Sequence, residues 1–203
     1  PTLERGIGIY GQEVLSAVGD LRNEGADAVT EISLLAEVYD ADGELIGEYR
    51  KTHLKGEERM AFREGYKLPV IPTEVGNIGL MIGYDLAFPE VARSLSLDGA
   101  EIIAVCANWE AANIDEWKTY VRARAYENSI FVAAANRIGE DVTLNFGGES
   151  MVVGPRRHIH ASLASETDPT TGAPLEGFAV ARIDLDEVRK NREEYQFIQN
   201  RQP

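Results

Sequence analysis

Between residues 75 and 135, apolar runs and amphipathic stretches take turns, and this alternation limits the folds open to the chain more than any other feature. Val75 to Ile82 (VGNIGLMI) is a largely apolar run of strand length, as expected where both faces of a strand are covered. Phe88 to Asp98 carries Val91, Leu95 and Leu97 among its apolar positions and is closed by Gly99, which predicts a helix. Ala100 to Cys106 (AEIIAVC) reads as a second buried strand, Asp115 to Asn128 as a second helix, and Ser129 to Ala135 (SIFVAAA) as a third strand. Strands alternating with helices, followed by strands at hairpin spacing, predict an α/β fold: a mixed sheet or two stacked sheets with helices outside.

The flanking segments are read in the same way. Gln12 to Glu24 places Val14, Leu15, Val18 and Leu21 at helical spacing, with Gly25 as its stop. Ala28 to Tyr39 is extended, Asp40-Ala41-Asp42-Gly43 is a turn signal, and Glu44 to Arg50 is the returning strand of a hairpin. Residues 52–70 carry charge and glycine without periodicity and are expected to form a loop. Further strands are expected at 148–154, 158–164 and 177–184, with a loop from Thr167 to Glu176 and a short acidic-then-basic helix (DLDEVRKNR) near the end.

Composition excludes some functions. The 203 residues fit one domain spanning 1–203. With 34 acidic against 20 basic residues the net charge is −14, which argues against nucleic acid or an anionic membrane as partner. No apolar run approaches the roughly 18 residues needed to span a bilayer, and the start (PTLERGIGIY) lacks the order of a signal peptide. A cytoplasmic protein is the expectation. The single cysteine, Cys106, rules out an internal disulfide and Cys-rich metal sites. His158 and His160 alternate on one strand, but two ligands without a third make a poor metal site, so neither metal nor cofactor is expected.

Several short segments, in one order, carry a resemblance. These are Tyr49-Arg50-Lys51-Thr52-His53-Leu54, with Glu58 seven residues after Lys51; Ile78 to Leu86 continuing into Phe88-Pro89-Glu90; Ala107-Asn108-Trp109; Arg124 to Asn128; Ala135-Asn136-Arg137; and Gly148 to Pro155. From about Asp42 onward the chain resembles the carbon–nitrogen hydrolase (nitrilase) superfamily. The resemblance implies an α–β–β–α sandwich that commonly pairs into homodimers or larger homo-oligomers, with the 129–135 strand and its preceding helix as candidate interface elements. It also implies hydrolysis of non-peptide C–N bonds in small amides or nitriles through a thioester intermediate.

Such hydrolysis needs an activated nucleophile, a base and a donor for the oxyanion. By resemblance, Lys51 is the family lysine that holds the oxyanion together with the Tyr84 backbone N–H, and Glu58 positions the lysine or the substrate. Gly83 stands where the family has its nucleophilic cysteine, so no thioester can form and turnover is expected to be lost. Tyr84, Asn108 and Trp109 are candidate substrate-binding residues, with Trp117 either beside them or in the core.

The family carries more chain before its lysine, so the fold is expected to be shortened at the N-terminus. Gly25 to Glu31 faintly resembles the segment holding the first glutamate, which makes Glu31 either the general base or an outward residue of an extended strand. Cys106, ending the strand after the one that leads to Gly83, is either a substitute thiol or a small buried apolar residue. Three readings stay open: a hydrolase lineage inactivated at Gly83, a binding or scaffold protein on the same fold, and a truncated or engineered fragment.

Overall fold

The computed structural model describes residues 33–164, 166–172, 175–195 and 198–202. The expected helix at 12–24 and Glu31 lie outside them. The first described elements are β1 (Leu35–Tyr39) and β2 (Leu45–Arg50), an antiparallel hairpin with a bulge at Val38/Tyr39. Its turn closes as the sequence suggests: Asp40 Oδ1 accepts the backbone N–H of Asp42 at 3.0 Å and of Glu44 at 2.8 Å.

A six-stranded sheet follows. In chain order its strands are β3 (Val70–Thr73), β4 (Gly76–Ile82), β5 (Ile102–Ala107), β6 (Phe131–Asn136), β9 (Met151–Val153) and β10 (Ile159–Ser162). They lie side by side as β10-β9-β6-β5-β4-β3, with β4, β5 and β6 parallel and the outer pairs antiparallel. Between β6 and β9 the chain makes a separate hairpin, β7 (Ile138–Asp141) with β8 (Leu144–Gly147). The helices are α1 (Glu58–Ala61), α2 (Pro89–Leu97), α3 (Ile114–Asn128) and α4 (Asp186–Tyr195).

Strand alternation gives the two sheet faces different partners. From β4, Met81 joins Val91 and Leu95 of α2 and Trp117 and Val121 of α3 in one buried cluster, with Ile103 and Val132 from the neighbouring strands. Ile78 and Leu80 point the other way and pack with Val38, Tyr49 and Ile71, so the β1–β2 hairpin covers that face. Helices, sheet and hairpin therefore form three layers in the described part of the chain.

The structure departs from the sequence reading at three places. The 52–70 loop ends in a strand, β3, which escapes the pattern because it is short and contains Pro72; proline is tolerated there because β3 is the sheet edge. The β7–β8 hairpin has no strong alternation and was not expected. Residues 177–184 form no strand: Phe178 is 74% and Val180 69% exposed, and an alternating pattern makes a strand only where a neighbouring edge supplies hydrogen bonds. Within the sheet β6 is paired on both sides, by β5 and β9.

Candidate active site

The parallel register puts Ile82, Cys106 and Ala135 side by side. The next residues along each strand open the three segments singled out in the sequence: Gly83-Tyr84, Asn108-Trp109 and Asn136-Arg137. Carboxyl ends of adjacent parallel strands are where open α/β sheets place their ligands. A cavity of about 1760 Å³ opens here, lined by Lys51, Glu58, Gly83, Tyr84, Asn108 and Trp109 among others. The structure thus brings together every described residue proposed for the site.

Lys51 follows the last residue of β2. Tyr49 and Lys51 are two apart on an extended segment and both point inward, whereas Arg50 between them is exposed. The segment is held at Lys51 itself, whose N–H donates to the Leu34 carbonyl at 2.9 Å and whose carbonyl accepts the Gly65 N–H at 2.7 Å. A Cβ on Gly65 would stand 2.3 Å from the Arg50 carbonyl oxygen, so only glycine lets the chain pass so close. The Lys51 ammonium, 4% exposed, donates to both oxygens of Glu58 at 2.6 and 2.7 Å. Glu58 opens α1 and also accepts the Lys55 backbone N–H at 2.7 Å, which fixes its carboxylate facing the lysine. Removing one partner of a buried ion pair is costly, so the carboxylate is part of what keeps the lysine in place.

Residues 83–87 form a single tight helical turn between β4 and α2. Its anchor is Asp85, fully buried. Oδ2 accepts the Tyr49 hydroxyl at 2.7 Å and the Ile82 N–H at 2.9 Å; Oδ1 accepts the Thr52 hydroxyl at 3.0 Å and the His53 N–H at 2.9 Å. His53 Nδ1 lies 3.0 Å from the same oxygen, and its ring stacks on Phe88 at 3.9 Å. Burial, and then the neighbouring carboxylate, push the Tyr49 phenol well above its usual range, so it stays a donor. One aspartate thereby ties the lysine segment to the turn carrying Gly83. On the other side Arg124 of α3, also buried, donates to the carbonyls of Leu86 at 3.0 Å and Ala87 at 3.1 Å.

Gly83 has φ +49°, in the left-handed region. A Cβ built on it would meet one neighbour within 4 Å, the Lys51 Nζ at 3.6 Å. A side chain at position 83 would therefore enter open space beside the ammonium.

Cys106 also borders the cavity, but its Sγ lies 3.9 Å from the Met81 carbonyl, and burial, the largest cause, pushes its thiol up to about 11. About one molecule in ten thousand would be thiolate at neutral pH, which favours the apolar reading of this residue.

Trp109 is placed by Asn136, whose Oδ1 accepts the Trp109 N–H at 2.6 Å while Nδ2 donates to the carbonyls of Trp109 at 3.2 Å and Gly148 at 2.8 Å. The Trp109 ring packs against Tyr120, centroids 5.9 Å apart. Trp117 is fully buried, donating Nε1–H to the Glu149 carbonyl at 2.8 Å, and belongs to the core. Asp85, Arg124 and Asn136 lie inside the quoted motifs, yet their partners are distant in sequence and nothing local marks them. His158 and His160 place their rings 4.8 Å apart, away from this cavity.

The carbon–nitrogen hydrolase family model matches residues 23–193. The chain belongs to the carbon–nitrogen hydrolase family. A probable nitrilase of Schizosaccharomyces pombe is 40% identical over 163 residues, covering 80% of this chain and 57% of that protein. The 2-oxoglutaramate amidase of Bacillus subtilis is 32% identical over 158 residues, 77% of this chain and 58% of its own length. Among solved structures, a carbon–nitrogen hydrolase from Helicobacter pylori G27 superposes with TM-score 0.72 at 27% identity, over 84% of this chain and 63% of that one. A cysteine-to-alanine variant of a Nesterenkonia amidase, in complex with butyramide, gives 0.69 at 29% identity, over 90% and 64%. The fold is that of the nitrilase superfamily, and the chain spans a little over half the length of these curated relatives.

Proposed function

We propose that this site is that of an amidase- or nitrilase-type hydrolase acting on non-peptide C–N bonds of small molecules, with Gly83 at the nucleophile position, so that it binds such ligands without turning them over. The observation that carries this reading is the position of a Gly83 Cβ, 3.6 Å from the Lys51 ammonium and otherwise in open space. A thiol extending from there would sit where a cation lowers its pKa. An acyl group attached to it would place its oxygen between that ammonium and the Tyr84 N–H. Glu58 keeps the ammonium aimed, Asn108 and Trp109 form the wall that holds the substrate, and Glu31 is the proposed general base. Without the nucleophile, electrostatic stabilisation and binding remain but covalent catalysis is gone; in a well-studied hydrolase that remainder is about 10³–10⁴ over water.

The test uses the chain as it stands. With butyramide as substrate, ammonia release is expected to match a protein-free control over long incubation, while the amide's NMR signals broaden or transfer saturation on adding protein. Ammonia release that disappears in Cys106→Ser would overturn the reading and transfer the nucleophile to Cys106. Binding without turnover also fits a scaffold role for the same cavity, and restoring the thiol separates the two.

The same reading includes a cytoplasmic setting, for which the structure offers only that no helix among the described residues is long and apolar enough to cross a membrane. It also includes a homodimer or larger homo-oligomer. Light scattering at low micromolar concentration is expected to give a mass of at least twice the 22.3 kDa of the chain; a monomer rejects that part alone.

A further inference from the structure

We infer that the cavity selects among amides by the charge at their far end, favouring a cationic tail and turning away a carboxylate; this rests on the amide-site reading above and specifies its ligand class. Among the described residues, nine of the cavity's lining side chains are carboxylates and three are cations. All three cations are already engaged. Lys51 is gripped by both Glu58 oxygens, Lys55 Nζ lies 3.0 Å from Glu110, and Arg137 lies 3.5 Å from Asp141 with its guanidinium 4.6 Å above the Phe146 ring. The carboxylates outnumber their partners. Glu57, Glu116, Glu166 and Glu176 line the cavity, are exposed, and have no ion-pair partner among the described residues.

A ligand carboxylate would therefore find no unpaired ammonium or guanidinium in the described wall. It would have to displace an existing pair against an excess of negative charge. A ligand ammonium meets the opposite situation: its amide end faces Lys51 and Gly83 while its tail extends among free carboxylates. Trp109 and Tyr120 also line the cavity, and aromatic rings attract cations as well as apolar groups. The low-dielectric walls of a cleft concentrate a field of one sign. The rim carboxylates are exposed, so each acts through water and salt. An unbalanced charge at about 8 Å, near a protein surface and screened at physiological salt, changes affinity roughly three- to fivefold. Because the sign reverses between cation and anion, the contrast between those two ligands is about tenfold or more. The net charge of −14 adds a long-range bias in the same direction.

The experiment measures binding to the unmodified chain by calorimetry or ligand-observed NMR for three amides of similar length. They are hexanamide, its terminal amino derivative, and the monoamide of adipic acid. The expected order of affinity is amino derivative, hexanamide, adipic monoamide, with at least about tenfold between first and last at low salt and a narrowing gap as salt rises. The double variant Glu57→Gln, Glu116→Gln is expected to reduce that gap without changing hexanamide affinity. If the three bind alike, or the acid binds best, charge selection is overturned while the amide site stands. If none binds, the amide-site reading falls and this inference with it.

Discussion

Gly83→Cys is expected to create a thiol that alkylates at neutral pH about 25-fold faster than Cys106 in the same molecule. Two opposing effects set this ratio. A thiol of ordinary pKa is about 3% ionised at pH 7, against about 0.01% for a thiol at about 11, a ratio near 300. The more basic thiolate is intrinsically the better nucleophile, and a Brønsted slope of about 0.45 returns roughly a factor of 13. The Lys51 ammonium, 3.6 Å from the new Cβ, moves the balance further toward position 83 by stabilising its thiolate. Adding Lys51→Met should remove that last increment and shift the alkylation pH profile upward. The variant is also expected to hydrolyse butyramide, since losing a nucleophile costs about 10⁶ in kcat in a well-studied protease and its return should be correspondingly visible. Adding Glu31→Gln should abolish hydrolysis and leave alkylation by small reagents intact if Glu31 is the base. A new cysteine that labels no faster than Cys106 would show that position 83 does not face the ammonium, and the site assignment would be lost.

Asp85→Ala is expected to lower stability by about 3–5 kcal/mol, the range for breaking a buried charged network. The Ile82 and His53 N–H groups and the Tyr49 hydroxyl lose their acceptor at once. Each buried donor left unsatisfied costs about 1–3 kcal/mol. For a chain of this length the melting temperature should fall by about 10–15 °C. Asp85→Asn should cost less but not be neutral: its oxygen serves one side, and its NH2 is turned toward donors on the other. A loss below about 1 kcal/mol for the alanine variant, measured by denaturant unfolding, would mean that the bonds to Asp85 do not hold the turn.

That aspartate also shows where sequence reading stops. The β4–α2–β5–α3–β6 succession was legible because continuous apolar runs and helical spacing report burial directly, and burial there is contributed by neighbours close in the chain. The group Lys51, Glu58 and Gly83 was legible through the resemblance of its surrounding segments. Asp85 was not, because its value lies in partners 33 and 36 residues away, Thr52 and Tyr49, and an isolated aspartate after a strand has no local signature. The residues at 177–184 failed in the opposite sense: their alternation is genuine, but a strand is completed by its neighbour and none pairs with them among the described residues. Trp117 and Trp109 are indistinguishable as letters. Only the fold sends one into the core and the other to the cavity wall.

The turn around Gly83 is held by Asp85, Arg124 and the strand before it, not by residue 83 itself. A side chain there would have to adopt φ near +49°, a conformation that disfavours every residue but glycine by roughly 1–2 kcal/mol. Glycine at this position thus keeps the turn and avoids the strain that a side chain would bring. Glycine and cysteine codons can differ by a single base. If the proposed function holds, gain and loss of the reactive atom are therefore separated by one point mutation and a small stability difference, with the surrounding turn unchanged in either direction.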